Sequence, residues 1–138
     1  TLQPQELFGA EDRKPSLAVT DVSFISLRLI LPALHRLTTG AAADALVLVK
    51  PQFEVGRQRV GKGGVVRDPS AHRDAIRQVI NAAAELDWLA QGIVASPLTG
   101  PAGNHEYVLW LSGKQPRSPL PDLEALVADT LAVEDKLA

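Results

Sequence analysis

The stretch Val49-Lys50-Pro51-Gln52-Phe53-Glu54-Val55-Gly56, continued by Val60-Gly61-Lys62-Gly63-Gly64-Val65-Val66-Arg67-Asp68-Pro69, decides how the chain folds. It leaves an apolar run, Ala45 to Val49, at a lysine and crosses a glycine-rich basic loop. Asp68-Pro69 then opens a helix, with the aspartate as N-cap and the proline at the first helical position, where a missing N–H costs nothing. Strand, loop and helix in that order form the unit of an open α/β sheet, whose ligands bind beyond the carboxyl ends of the strands. Lys50 stands at such an end, a place for chemistry more than for solubility.

Outward from this stretch the pattern repeats. Leu17 to Thr20 reads as a short strand ending at Asp21. Ser23 or Ser26 then caps a helix with Leu27, Ile30, Leu31, Leu34 and Leu37 at helical spacing; Pro32 either kinks it or lies near its first turn. Asp44 to Val49 is a second strand, and its near-continuous apolar character predicts cover on both faces. In the helix after Asp68, Ala75, Ile76, Val79, Ile80, Ala83 and Leu86 form the apolar stripe, while Arg73, Arg77, Asn81 and Glu85 face water. Leu89 to Ala95 is a third strand, Leu98 to Asn104 a turn, and His105 to Leu111 a fourth strand. An acidic amphipathic helix runs from Pro119 to Ala138, its start set by the prolines and Asp122.

This order predicts an α/β fold with right-handed crossovers and a mostly parallel sheet. The connection between the third and fourth strands is too short for a crossover, so the last strand should be antiparallel. Parallel strands end at one edge of a sheet, and an antiparallel strand begins there. Asp21, Lys50 and Glu106 should therefore meet on one rim. Each has a plainer role open to it: Asp21 as a helix cap, Lys50 as a solvated strand end, Glu106 as an exposed edge residue. Their convergence favours a site.

The absence of cysteine excludes disulfides and thiolate metal sites, and His35, His72 and His105 show no ligand spacing, so no metal is expected. A hydrophobic fraction of 46% and a charged fraction of 22% fit a globular domain, with no run of the ~18 apolar residues of a membrane span. Methionine is absent even at residue 1, so the chain is expected to be a piece of a longer product, or a processed or trimmed one. From Lys50 to Arg77, seven Lys or Arg stand against three acids, which points to a phosphate-bearing partner or to a solvated loop. Gly56 to Lys62 fits the G-x-x-x-x-G-K pattern of nucleotide hydrolases, yet Gly63 follows where Ser or Thr should hold magnesium. A glycine-rich basic loop can instead receive a nucleic-acid backbone on its N–H groups and on Arg57, Arg59, Lys62 and Arg67.

Four blocks carry a resemblance. Asp21-Val22-Ser23-Phe24-Ile25-Ser26-Leu27, Lys50 to Glu54, Val60 to Pro69, and Ser96-Pro97 through Gly100-Pro101, Gly103-Asn104 and Glu106-Tyr107 to Leu109-Trp110-Leu111 resemble the hemolysin A (TlyA) family. Its members look like FtsJ-type ribosomal RNA methyltransferases, which act on ribose 2′-hydroxyls with S-adenosyl-L-methionine. The resemblance implies the C-terminal half of a Rossmann-like methyltransferase fold, with the C-terminal part of the methyltransferase domain over 17–113; residues 1–16, polar and with Pro4 and Pro15, read as a connecting segment, and 114–138 as a linker with a C-terminal helix. It further implies a Lys-Asp-Lys-Glu catalytic set whose last three members match Asp21, Lys50 and Glu106, with Asp21, Val22 and Ser23 on the cofactor side.

The first lysine, the glycine-rich cofactor loop and an S4-type RNA-binding domain would lie in an upstream half of the same protein. Lys50 as a base would need its pKa lowered, which that first lysine beside it would favour and the two carboxylates oppose; without it, Lys50 is expected to act as an ammonium that orients the hydroxyl. Expected partners are ribosomal RNA or ribosomal subunits in the cytoplasm, with no membrane, and the piece alone is expected to be inactive. Two other readings stand beside this one. One is a non-catalytic RNA-binding module. The other is a membrane-active hemolysin, which the acidic C-terminal helix disfavours on anionic lipid.

Overall fold

Alternating apolar residues and short connections build one four-stranded sheet in the computed structural model, which describes Glu6 and residues 14–137. The connecting segment expected over residues 1–16 lies almost wholly outside the described residues. The strands are β1 (Leu17–Thr20), β2 (Asp44–Val49), β3 (Leu89–Ala95) and β4 (Tyr107–Ser112). Their order across the sheet is β1-β2-β4-β3. β1 and β2 pair in parallel, and β4 pairs antiparallel with both β2 and β3. Three strands thus run one way and β4 runs back between two of them. The fourth strand begins at Tyr107, two residues later than its sequence pattern indicates, which leaves His105 and Glu106 just outside the sheet.

The helices are α1 (Leu27–Leu37), α2 (Pro51–Glu54), α3 (Pro69–Ala84) and α4 (Leu123–Leu137). Ser26 caps α1 by accepting the Arg28 N–H, and the helix runs through Pro32. Asp68 caps α3 with Pro69 in the first turn, and the Ser70 amide and hydroxyl on its carboxylate hold that group below its usual range. In α4, Asp122 accepts the Glu124 N–H, so the helix starts at Leu123, after the prolines.

The core sits on one face of the sheet. Ala45, Val47 and Val49 of β2 and Tyr107, Leu109 and Leu111 of β4 are fully buried there against Leu27 and Leu31 of α1, Ile76 and Val79 of α3, and Val127 of α4. Each such large aliphatic contributes roughly 1.5–3 kcal/mol on burial. Arg73, expected in water, is largely covered and reaches Glu124 of α4 at 3.5 Å.

The other face departs from the expectation that β2 is covered on both sides. Leu17, Val19, Val94 and Trp110 are exposed, and Leu46, Leu48 and Val108 only half-buried. The register puts all seven on the same side. The apolar run of β2 carries residues suited to two covered faces, but among the described residues the helices α1, α3 and α4 pack on one.

Behind the sheet, Gly113 meets the turn Gly40–Ala42 so closely that a Cβ on it would overlap the Ala41 carbonyl oxygen. Gly113→Ala is therefore expected to cost about 2 kcal/mol as an overpacked contact, read as a lowered midpoint in thermal unfolding.

Candidate active site

Topology brings the three rim residues together. Lys50 follows β2, Asp21 follows β1, and Glu106 precedes β4. Lys50 Nζ lies 2.6 Å from Asp21 Oδ1 and donates to Ser23 Oγ at 3.1 Å. The lysine side chain is 11% exposed and the aspartate 71%, so the ammonium is sunk into the rim and the carboxylate faces outward. Glu106 is buried beside them. Burial pushes its carboxyl above the usual carboxylate range; the Lys50 charge opposes the rise, Asp21 adds to it, and a hydrogen bond from Gln52 lowers it. Gly100 makes room for Glu106, since a Cβ there would collide with Oε1. A cleft of about 380 Å³ opens onto these groups, lined among others by Lys50, Glu106, Gln52, Asn104, Phe24 and Phe53.

The segments after β1 and β2 run alongside each other and touch at three levels. Lys50 meets Asp21 and Ser23, as above. Phe53 meets Phe24, with ring centroids 5.0 Å apart. Glu54 accepts the Ser26 hydroxyl at 2.6 Å and the Leu27 N–H at 2.8 Å, the first free amide of α1. Glu54 is buried, which pushes its carboxyl up in spite of those two bonds and the nearby Arg28 charge. Hydrogen bonds to a charged group contribute about 1.5–3 kcal/mol each, enough to offset much of that burial. Phe24 is 90% exposed and has φ 63°, a left-handed conformation that costs a bulky residue roughly 1–3 kcal/mol.

The basic loop is folded by its own charges. Arg59 donates to Asp74 at 2.7 Å and Ser70 at 2.9 Å and pairs with Asp68 at 3.6 Å, which ties the loop to the start of α3. Arg67 donates to the Lys62 carbonyl at 3.2 Å. Arg57 and Lys62 are exposed; Arg57 lines an apolar groove beside Phe24, Phe53 and Val60. Val22, adjacent to Asp21, is half-buried against the core.

Two buried side chains to which the sequence assigned no role at the site, Asn104 and His72, fix the far side of the loop. Asn104 accepts the Val66 N–H at 2.9 Å and donates to the Gly64 carbonyl at 2.8 Å. His72 Nε2 lies 2.8 Å from the Val66 carbonyl, which can only accept, so Nε2 carries a proton, and Nδ1 lies 2.9 Å from the Tyr107 hydroxyl. Burial pushes the Tyr107 hydroxyl up to about 12, which keeps it a donor. His72 had a signal: it stands three and four residues before Ala75 and Ile76, on the apolar stripe of α3. Asn104 and Glu54 stand in the blocks that carry the resemblance, but nothing local pointed to their partners, which are distant in sequence.

Arranged this way, a sunken ammonium between carboxylates can grip a hydroxyl oxygen, an exposed carboxylate can face a cation, and two aromatic faces and a basic loop border the opening.

A model of FtsJ-like methyltransferases matches residues 1–113. The chain is 48% identical over 120 residues to "16S/23S rRNA (cytidine-2′-O)-methyltransferase TlyA" of Mycobacterium tuberculosis, covering 85% of this chain and 42% of that protein. It is 45% identical over 115 residues to "Putative rRNA methyltransferase YqxC" of Bacillus subtilis, covering 81% of this chain and 41% of that one. A solved structure, "Putative hemolysin from Streptococcus thermophilus", superposes with a TM-score of 0.81 at 34% identity, over 99% of this chain and 48% of that one. No helix among the described residues is long and apolar enough to cross a membrane. The chain spans less than half the length of these relatives, and it belongs to the FtsJ-like methyltransferase family.

Proposed function

We propose that this chain is the rim-bearing part of a larger enzyme that methylates ribose 2′-hydroxyls of ribosomal RNA with S-adenosyl-L-methionine. The observation that carries the reading is the Lys50 ammonium held by Asp21 and Ser23 beside buried Glu106. S-adenosyl-L-methionine would bring a methyl group already activated on a sulfonium; its bond to sulfur would break as the bond to the ribose oxygen forms, with the hydroxyl proton passing to water, so the protein has chiefly to align donor and acceptor. Asp21, exposed at the end of an edge strand and next to Val22 and Ser23, offers a carboxylate to that cationic side. Lys50 grips the attacking oxygen, and Glu106 holds Lys50 in place by charge. Phe24 and Phe53 offer faces on which a base can stack. Arg57 and Lys62 meet phosphates, while Arg59 and Arg67 shape the loop that presents them.

In the same reading residues 17–113 are the C-terminal part of the methyltransferase domain, followed by a linker and helix over 114–138. The remainder of the protein supplies the main cofactor loop, an S4-type RNA-binding domain and the cover for the open sheet face around Leu46, Leu48 and Trp110. The enzyme would work in the cytoplasm, where its RNA is.

Methyl transfer from labelled S-adenosyl-L-methionine to unmodified ribosomal RNA by the full-length protein tests the reading. Lys50→Ala should lower kcat at least ~100-fold, the scale of a lost alignment, with cofactor affinity unchanged; a fully active variant would sink the assignment. The pH dependence has a definite sign. Because burial raises the Glu106 carboxyl, its charge is present above that raised pKa and lost as pH falls through it, so the rate should fall on acidification earlier than for an exposed glutamate. Its contribution to folding stability runs the other way, being greatest at low pH and lost as pH rises through the same point. Glu106→Gln should be slow throughout and lack that acid limb in a rate–pH profile. Arg57→Ala and Lys62→Ala should each weaken RNA binding and reduce its salt slope by about 1, whereas Arg59→Ala should chiefly lower the unfolding midpoint.

A further inference from the structure

We infer that Glu54 is a positioning residue for the rim, a buried clasp that sets where Asp21, Ser23 and Phe24 stand relative to Lys50. The inference rests on the proposed methyl transfer for its kinetic consequence, though not for its geometry.

Lys50 and Glu54 bracket one turn of chain, with Lys50 at the N-cap of α2 and Glu54 as its last residue. Asp21, Ser23, Ser26 and Leu27 follow one another along the segment that leaves β1. The first pair meets Lys50 and the second pair meets Glu54, so the two segments are fastened at both ends. Between the fastenings Phe24 holds φ 63° against Phe53. A bulky residue stays in that conformation only where its surroundings over-determine it.

The outer fastening is half in water through Asp21 and gives way readily. The inner one is not: Glu54 is 4% exposed, and both its oxygens are engaged. Leu27 is itself fully buried, so its amide cannot turn to solvent for a substitute. With the inner clasp broken, the start of α1 loses its only distant anchor on α2 among the described hydrogen bonds, and the Asp21–Phe24 segment is free to drift from Lys50. Ser26 alone would still cap the helix through Arg28 N–H. An ordinary cap and a positioning clasp therefore predict different things.

Two readouts on the full-length protein separate them. The first is the acylation rate of Lys50 by an amine-reactive ester, measured by mass spectrometry against exposed Lys62 as internal standard. The second is kcat and both KM values for methyl transfer, at a temperature where every variant is folded. Glu54→Gln should raise the Lys50 to Lys62 labelling ratio and lower kcat, each by about tenfold or more, with the KM values held within about twofold. Ser26→Ala, which keeps the Leu27 bond, should move both in the same direction by less, and it serves if Glu54→Gln does not fold. A lowered unfolding midpoint with labelling ratio and kcat unchanged would make Glu54 a helix cap and nothing more. If the wild type transfers no methyl group, the proposed function falls, and the labelling ratio alone still decides whether the clasp holds Lys50.

Discussion

Strand β4 runs against both of its neighbours, and the rest of the rim depends on that reversal. Had β4 joined the sheet in parallel, Glu106 would lie at the opposite edge from Lys50, and Tyr107 would not lie opposite Val49. The reversal is enforced by burial. Tyr107, Leu109 and Leu111 face Val49, Val47 and Ala45 at the centre of the core, and a slip of one residue would turn all three out of it. The position of the Glu106 carboxylate is thereby tied to the apolar core of the described residues.

The rim combines two kinds of order. Beneath it, position is set by packing; at its surface, by hydrogen bonds between segments far apart in sequence. Glu54, Asn104 and His72 each spend both of their polar ends on other segments, so that loops with little apolar surface of their own are fixed in place. The charges of the loop divide accordingly: Arg59 is taken up by Asp74 and Asp68, Arg67 leans on the Lys62 carbonyl at the surface, and Arg57 and Lys62 stand exposed.

Much of this was legible in the residues. Strands β1, β2 and β3 have the bounds that their apolar runs indicate, because alternation and punctuation by Asp21, Lys50 and Ser96 are local signals. The cap at Asp68 was legible for the same reason. The convergence of Asp21, Lys50 and Glu106 followed from strand direction alone. What local pattern could not carry were partnerships between segments distant in sequence: Glu54 with Leu27, Asn104 with Val66, Arg73 with Glu124. Nor could the apolar run of β2 tell one covered face from two, since Leu46 and Leu48 suit either.

The open face has an optical side. The chain has two tryptophans, and they stand in opposite surroundings. Trp88 is fully buried, its indole N–H on the Gly40 carbonyl, whereas Trp110 is nearly half-exposed on the uncovered face, its N–H on Asp44. Emission from this chain is therefore the sum of a shielded and a watered indole. The watered one lies where any covering layer must settle, so the protein carries its own fluorophore for docking at that face, with a second in the core as its reference.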